Sequence, residues 1–197
     1  MNLKRVITGL TLLFLLGSGM VVAADFNKGL QAAESGDFKT ALTEWVPLAQ
    51  QGNASAQHNV GLIYENGKGV LENDKTAVKW YTKAAEQGFA NAQYSLGNMY
   101  DLGKGVSEND KIAVKWYTLA AKQGHAKGQL ATGMMYYFGY GVLTSYLRAY
   151  MWTSLSSYNG LDVSKPMEIA TGRLTPAQIV KAQEMSSRCF ESGYTDC

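Results

Sequence analysis

From residue 54 onward, apolar residues return at helical intervals, and the run of them is broken each time by the same glycine-rich and polar segment. Ala77, Trp80, Tyr81 and Ala84 fall on one side of a 3.6-residue helix. A step of 36 residues carries Ala41 to Ala77, Ala113 and Ala149, Gly61 to Gly97 and Gly133, and Tyr64 to Tyr100 and Tyr136. Trp80, Trp116 and Trp152 keep the same step, as do Gly52, Gly88, Gly124 and Gly160. A fixed period of this length means stacked supersecondary units, each burying its apolar face only against a neighbour. Every unit reads as two helices. The first runs about Ala54 to Glu65, Ala90 to Asp101 and Ala126 to Tyr137, with small residues at 56, 92 and 128 for close approach. The second follows a glycine-rich loop.

The start of the second helix is marked by one column, Asp37, Asn73, Asn109 and Ser145. All four are N-cap residues, whose side-chain oxygens accept from backbone N–H groups left unpaired in a first turn. Its end is marked by Gly88 and its equivalents, since glycine enters the left-handed conformation of a C-cap at no steric cost. Pro47 falls inside the first such helix, where a kink is expected. These readings predict an all-α protein, an α/α solenoid of antiparallel helix pairs spanning residues 25–160, with units at about 25–52, 53–88, 89–124 and 125–160. The first unit has a short connection, Ser35-Gly36-Asp37, after a helix at about Asp25 to Glu34. Residues 161–197 predict a cap. A short helix is expected at about Pro166 to Thr171, and Thr175-Pro176-Ala177-Gln178 combines a capping threonine, a first-turn proline and a glutamine three residues on. The helix from about 176 would bury Ile179, Ala182, Met185 and Cys189.

Residues 1–24 read as an address. Lys4 and Arg5 precede an apolar run from Val6 to Val22, and Val22-Ala23-Ala24 supplies small residues for cleavage after Ala24. The run is interrupted by Gly9, Gly17 and Gly19 and is short for a bilayer span, so an exported product, periplasmic or secreted and not inserted in the membrane, is expected. Lys4 and Arg5 are two of the 18 basic residues, and none of the 16 acidic residues precedes Asp25, so the remainder is formally neutral. It offers no basic stripe for nucleic acid. Its 12 Tyr and 4 Trp supply large apolar area for helix packing. The two cysteines, Cys189 and Cys197, close a short loop at the C-terminus, and a disulfide is expected in an oxidising compartment.

Chemistry is sparse. Gly67-Lys68-Gly69 and Gly103-Lys104-Gly105 resemble a phosphate loop only superficially, because glycine rather than Ser or Thr follows the lysine, and Tyr140 replaces it in the third copy. Tight turning, with Val70, Val106 and Val142 pointing inward, accounts for these loops. His58 and His125 are the two histidines, sit in different columns and have no cysteine or HExxH partner for a metal. Neither S-x-x-K nor G-x-S-x-G occurs. No catalytic residue, cofactor or metal site is predicted.

The recurring pattern AxAQxxLGxMYxxGKGVxxNDxxAVKWYxxAAxQG, nearly complete from Ala54 to Gly88 and again from Ala90 to Gly124, resembles the Sel-one-like repeat, a relative of the tetratricopeptide repeat. The resemblance covers about residues 37–160. It implies a non-enzymatic scaffold that binds a protein or peptide in a concave groove, as an envelope adaptor, a motor accessory or a neutraliser of effectors. Tetratricopeptide-like stacking would place His58, Leu62, Tyr94, Asn98, Asp101, Leu130, Met134, Tyr137 and Phe138 on that face. The third copy is the most apolar, so Leu130, Met134, Tyr137 and Phe138, beside Tyr140, form either a groove or a surface buried by the C-terminal segment. Cysteine-rich relatives described as β-lactamases supply the alternative, a hydrolase of cell-wall or β-lactam substrates. Their disulfides lie within the repeats, where this chain has no cysteine.

Overall fold

The computed structural model describes residues 24–197. The proposed cleavage segment, apart from Ala24, lies outside the described residues. Ten helices follow one another among the described residues, with no strand. They are α1 (Phe26–Glu34), α2 (Phe38–Gln50), α3 (Ala54–Glu65), α4 (Asp74–Glu86), α5 (Ala90–Asp101), α6 (Asp110–Ala121), α7 (Ala126–Phe138), α8 (Tyr146–Tyr158), α9 (Ser164–Thr171) and α10 (Pro176–Glu191). Each helix from α1 to α8 packs on its sequence neighbours, which produces a solenoid of antiparallel pairs.

Local chemistry sets the helix limits. Asp37, Asn73, Asn109 and Ser145 each accept from the backbone N–H three residues on, so α2, α4, α6 and α8 start where the capping column predicts. At the far end, Gly88 has φ +86°, its N–H donates to Ala85 O and the following Phe89 N–H donates to Ala84 O. This is a Schellman closure, repeated at Gly52, Gly124 and Gly160. Asp25 caps α1 rather than joining it, accepting from Asn27 N and Lys28 N. α2 continues for one turn beyond Pro47, whose missing N–H leaves the Thr43 carbonyl without its helical donor. α9 begins two residues earlier than expected. Pro166 occupies its third position, where the N–H has no intrahelical acceptor and a proline costs nothing, and Asp162 accepts from Ser164 N at 3.0 Å.

The core is segmented. Ala77, Val78, Tyr81, Ala84 and Ala85 of α4 enclose one cluster with Ala92, Leu96 and Met99 of α5. α2 with α3 and α6 with α7 form its equivalents. Each cluster therefore joins the second helix of one unit to the first of the next, and at about 1.5–3 kcal/mol per large buried side chain, stacking itself holds the units together. Glycines in α3 and α5 seat the rings. A Cβ on Gly97 would lie 2.6 Å from the Tyr117 ring, and one on Gly61 would meet Tyr81 likewise. Val70, Val106 and Val142 of the loops pack onto the same clusters. The second loop glycine has a role the sequence did not disclose: a Cβ on Gly105 would lie 2.5 Å from the backbone carbonyl carbon of Asp74, so the loop rests on the start of the preceding unit's α4.

α10 carries the predicted capping box, in which Gln178 N donates to Thr175 Oγ1 and Thr175 N donates to Gln178 Oε1. Its buried face packs on α8, where Met151, Trp152, Leu155 and Cys189 form the terminal cluster. Cys189 and Cys197 are at disulfide distance, with Cα atoms 4.9 Å apart.

Candidate functional site

The first helices of the second and third full units, α5 and α7, flank a cleft of about 350 Å³. Helical spacing brings Tyr94, Asn98 and Asp101 to it from α5, and Lys127, Leu130 and Met134 from α7. Tyr117 of α6, Ala131 and Met135 of α7, and Tyr140 from the following loop complete the lining. Leu130, Met134 and Tyr140 give it an apolar wall, while Asn98, Asp101 and Lys127 supply polar groups of both signs.

One buried phenol organises the polar side. The Tyr117 hydroxyl donates towards Asn98 Oδ1 at 2.7 Å and Asp101 Oδ2 at 3.1 Å. Burial, with the Asp101 carboxylate alongside, pushes this phenol far above its ordinary range, so it remains a neutral donor. The Asn98 amide nitrogen and Asp101 Oδ1 have no hydrogen-bond partner among the described residues and can serve a ligand. In the preceding unit Tyr81 makes the corresponding bond to Glu65 Oε2 at 2.6 Å.

The nine residues assigned to a concave face do not converge on one place. Tyr94, Asn98, Asp101, Leu130 and Met134 share the α5–α7 cleft. Leu62 lines a smaller cavity of about 160 Å³ beside α1, with Phe38, Trp45 and Asn59. Tyr137 turns towards α9: its hydroxyl lies 3.5 Å from Arg173 Nε, and its ring packs on Phe138 and Tyr146. Phe138 is half exposed and stacks on Tyr140 at 5.4 Å. The two readings of the third-copy cluster thus divide, since Tyr137 meets the C-terminal segment while Leu130 and Met134 line the cleft.

His58 corrects the assignment to an open face. It is only 8% exposed, held between the Tyr81 and Phe89 rings at 5.6 and 5.5 Å, with Nε2 3.3 Å from Ser95 Oγ. Burial lowers its pKa to about 4. The same trio recurs one unit on as Tyr94, Tyr117 and His125, with centroids 5.8 and 5.1 Å apart. His125 also caps α7, Nδ1 accepting from Gly128 N at 3.0 Å. One step further, in the fourth unit and at the residue that follows it, these positions hold Leu130, Thr153 and Leu161, and the aromatic trio has no counterpart. No group of three or more metal-ligating side chains occurs among the described residues.

A buried polar relay escaped the sequence reading. Gln57, Gln93 and Gln129 each donate to the last turn of the preceding second helix, at Ala49 O, Ala85 O and Ala121 O. Their own amide oxygens accept from Gln87, Gln123 and Asn159 at 2.6, 2.7 and 2.9 Å. The signal was present as two columns of amide side chains, but the partners stand 30 residues apart and only stacking brings them together.

Models of the family described as the Sel1 repeat match residues 54–89, 90–125 and 126–161. Among solved structures, the Sel1 repeat protein from Oxalobacter formigenes is 31% identical, with a TM-score of 0.72, over 86% of this chain and 72% of that one. The crystal structure of c5321, a protective antigen present in uropathogenic Escherichia coli strains and displaying an SLR fold, is 29% identical with a TM-score of 0.73. That match covers 84% of this chain but only 41% of c5321. No protein of curated function matches. Three consecutive repeat matches, covering more than half of the sequence and coinciding with the stacked helix pairs, place the chain in the Sel1 repeat family.

Proposed function

We propose that this protein is a non-enzymatic adaptor, exported to the periplasm or secreted, that binds a protein or peptide in the α5–α7 cleft. Sel1 repeats are scaffolds that generally engage other proteins. The observation that carries the assignment to this cleft is its composition: an apolar wall of Leu130, Met134 and Tyr140 facing free polar groups on Asn98 and Asp101. Apolar anchor sites bordered by polar groups are the common form of a protein-binding patch. Export is supported by the N-terminal segment and by the cysteine pair at disulfide distance, and no described helix is long and apolar enough to cross a membrane.

Met134→Glu tests the reading. Met134 is partly buried and lines the open cleft, so the variant should stay within about 1 kcal/mol of the parent in urea unfolding. The new carboxylate would face Asp101 and any apolar anchor. Proteins retained by the immobilised parent from envelope extract should be lost from the variant, by roughly 30-fold if an anchor worth about 2 kcal/mol is removed. Equal retention by parent and variant would remove the function from this cleft.

A further inference from the structure

The column that holds Trp80, Trp116 and Trp152 holds Glu44 in the first unit. Among the described residues no helix pair precedes this unit for a tryptophan to pack on. Glu44 is nevertheless buried, its side chain 7% exposed, among Ala41, Trp45 and Ala49 on α2. Its two oxygens face the chain start: Oε2 accepts from Asp25 N at 2.9 Å, and Oε1 pairs with Lys28 Nζ. The hydrogen bond from Lys28 and that from Asp25 N hold the carboxyl below the usual carboxylate range. Asp25 is also the residue that cleavage after Ala24 would make first.

We propose that Glu44 is a receptor for the α-amino group created at Asp25, so that processing locks the N-terminal end of the solenoid. The inference rests on the export reading above. In the cleavage, water adds across the Ala24–Asp25 amide; its oxygen remains on the Ala24 carboxylate, and both its hydrogens end on the Asp25 nitrogen, which becomes an ammonium. The neutral N–H that already donates to Glu44 then gains a full positive charge without moving. Charge-assisted hydrogen bonds are roughly twice as strong as neutral ones. The groups facing the ammonium are Glu44 from α2, Lys28 from α1 and the carboxylate of Asp25 itself, which also caps α1. The carboxylates dominate, so the amine's pKa rises above its ordinary value of about 8. The stabilisation is therefore complete below about pH 8 and is lost as pH rises through the raised value.

The test uses the full chain, exported by its own N-terminal segment, with its first residue read by mass spectrometry. A second version carries Gly-Ser inserted between Ala24 and Asp25, which keeps the cleavage site and moves the new amine two residues away from Glu44. At pH 7 the insertion should lower the melting temperature by a few degrees, and the two versions should converge above about pH 10. In a Glu44→Gln background the insertion should have no effect at any pH. Equal melting of the two versions at pH 7, or the same drop in the Glu44→Gln background, would overturn the proposal while leaving export intact. A first residue of Met1 would refute the export reading and the proposal together.

Discussion

Gly105→Ala isolates the contact that sets one repeat on the next. Gly105 has φ +68°, and an alanine Cβ there would sit 2.5 Å from the carbonyl carbon and 2.6 Å from the oxygen of Asp74. Gly88 is the control: it has φ +86°, but a Cβ would find nothing within 4 Å. Both substitutions impose the left-handed backbone on an alanine, costing about 1–2 kcal/mol, partly offset by about 0.4–1 kcal/mol from the stiffer unfolded chain. Gly88→Ala should therefore cost about 1 kcal/mol. At Gly105 the obstacle is backbone, which cannot rotate away as a side-chain end can, so the loop must lift off α4. Overpacking of this kind adds about 1–3 kcal/mol, which places Gly105→Ala at about 2–4 kcal/mol. Urea unfolding followed by far-UV circular dichroism gives both values. Equal midpoints for the two variants would show that the loop does not need its close approach to α4 and that stacking is carried by the helix faces alone.

Three further outcomes follow from buried groups. Gln93→Leu removes the bonds to the Ala85 carbonyl and from the Gln123 amide, while Gly88 N still donates to Ala85 O and Gln123 Nε2 to Leu119 O; at about 0.5–1.5 kcal/mol per lost bond it should cost about 1–3 kcal/mol in urea unfolding, and a neutral result would mean the relay contributes nothing. His58, depressed to about 4 by burial, binds no proton between there and the ordinary value of about 6.5, whereas the unfolded chain does. Its contribution to stability is thus complete above about pH 6.5 and falls as the pH drops towards 4; an NMR titration of the imidazole with a midpoint near 6.5 would contradict the burial. Reduction of the Cys189–Cys197 pair should raise amide exchange in α10 while leaving α3 to α5 protected, because α10 meets the solenoid through α8. Uniform loss of protection would mean that the cap and the repeats unfold as one unit.

Boundaries were readable because they depend on chemistry within a few residues. Asn73 caps α4 with its own side chain, and Gly88 closes the same helix with its own backbone, so no knowledge of the neighbouring unit is needed. Side-chain direction is different. Column membership put His58, Tyr94 and Leu130 on one face, yet where the His58 and Tyr94 rings turn depends on one other helix and on the residue that begins a further one, Tyr81 and Phe89 for His58, Tyr117 and His125 for Tyr94. A period shows which positions are equivalent. It does not show whether an amphipathic ring at that position turns into the seam or out of it. The Gln57 to Gln87 and Gln93 to Gln123 bonds were hidden for the same reason, since each joins two columns through packing rather than through local spacing.

The informative departures lie in columns whose other members pack against the core clusters. An exposed column that varies says little, because a solvated side chain is under little packing constraint. A buried column that varies must be compensated in three dimensions, and the compensation is visible here at both ends of the stack. Where the tryptophan column becomes Glu44, the buried carboxylate is matched by Lys28 and the Asp25 N–H. Where the aromatic trio becomes Leu130, Thr153 and Leu161, the rings that fill the seam at Tyr81 and Tyr117 have no successor, and Leu130 instead lines the cleft with Met134 and Tyr140. Tyr140 itself replaces the loop lysine of the earlier units. The constant positions build the stack, and the physically costly exceptions to them lie in its first helix pair and beside the cleft between α5 and α7.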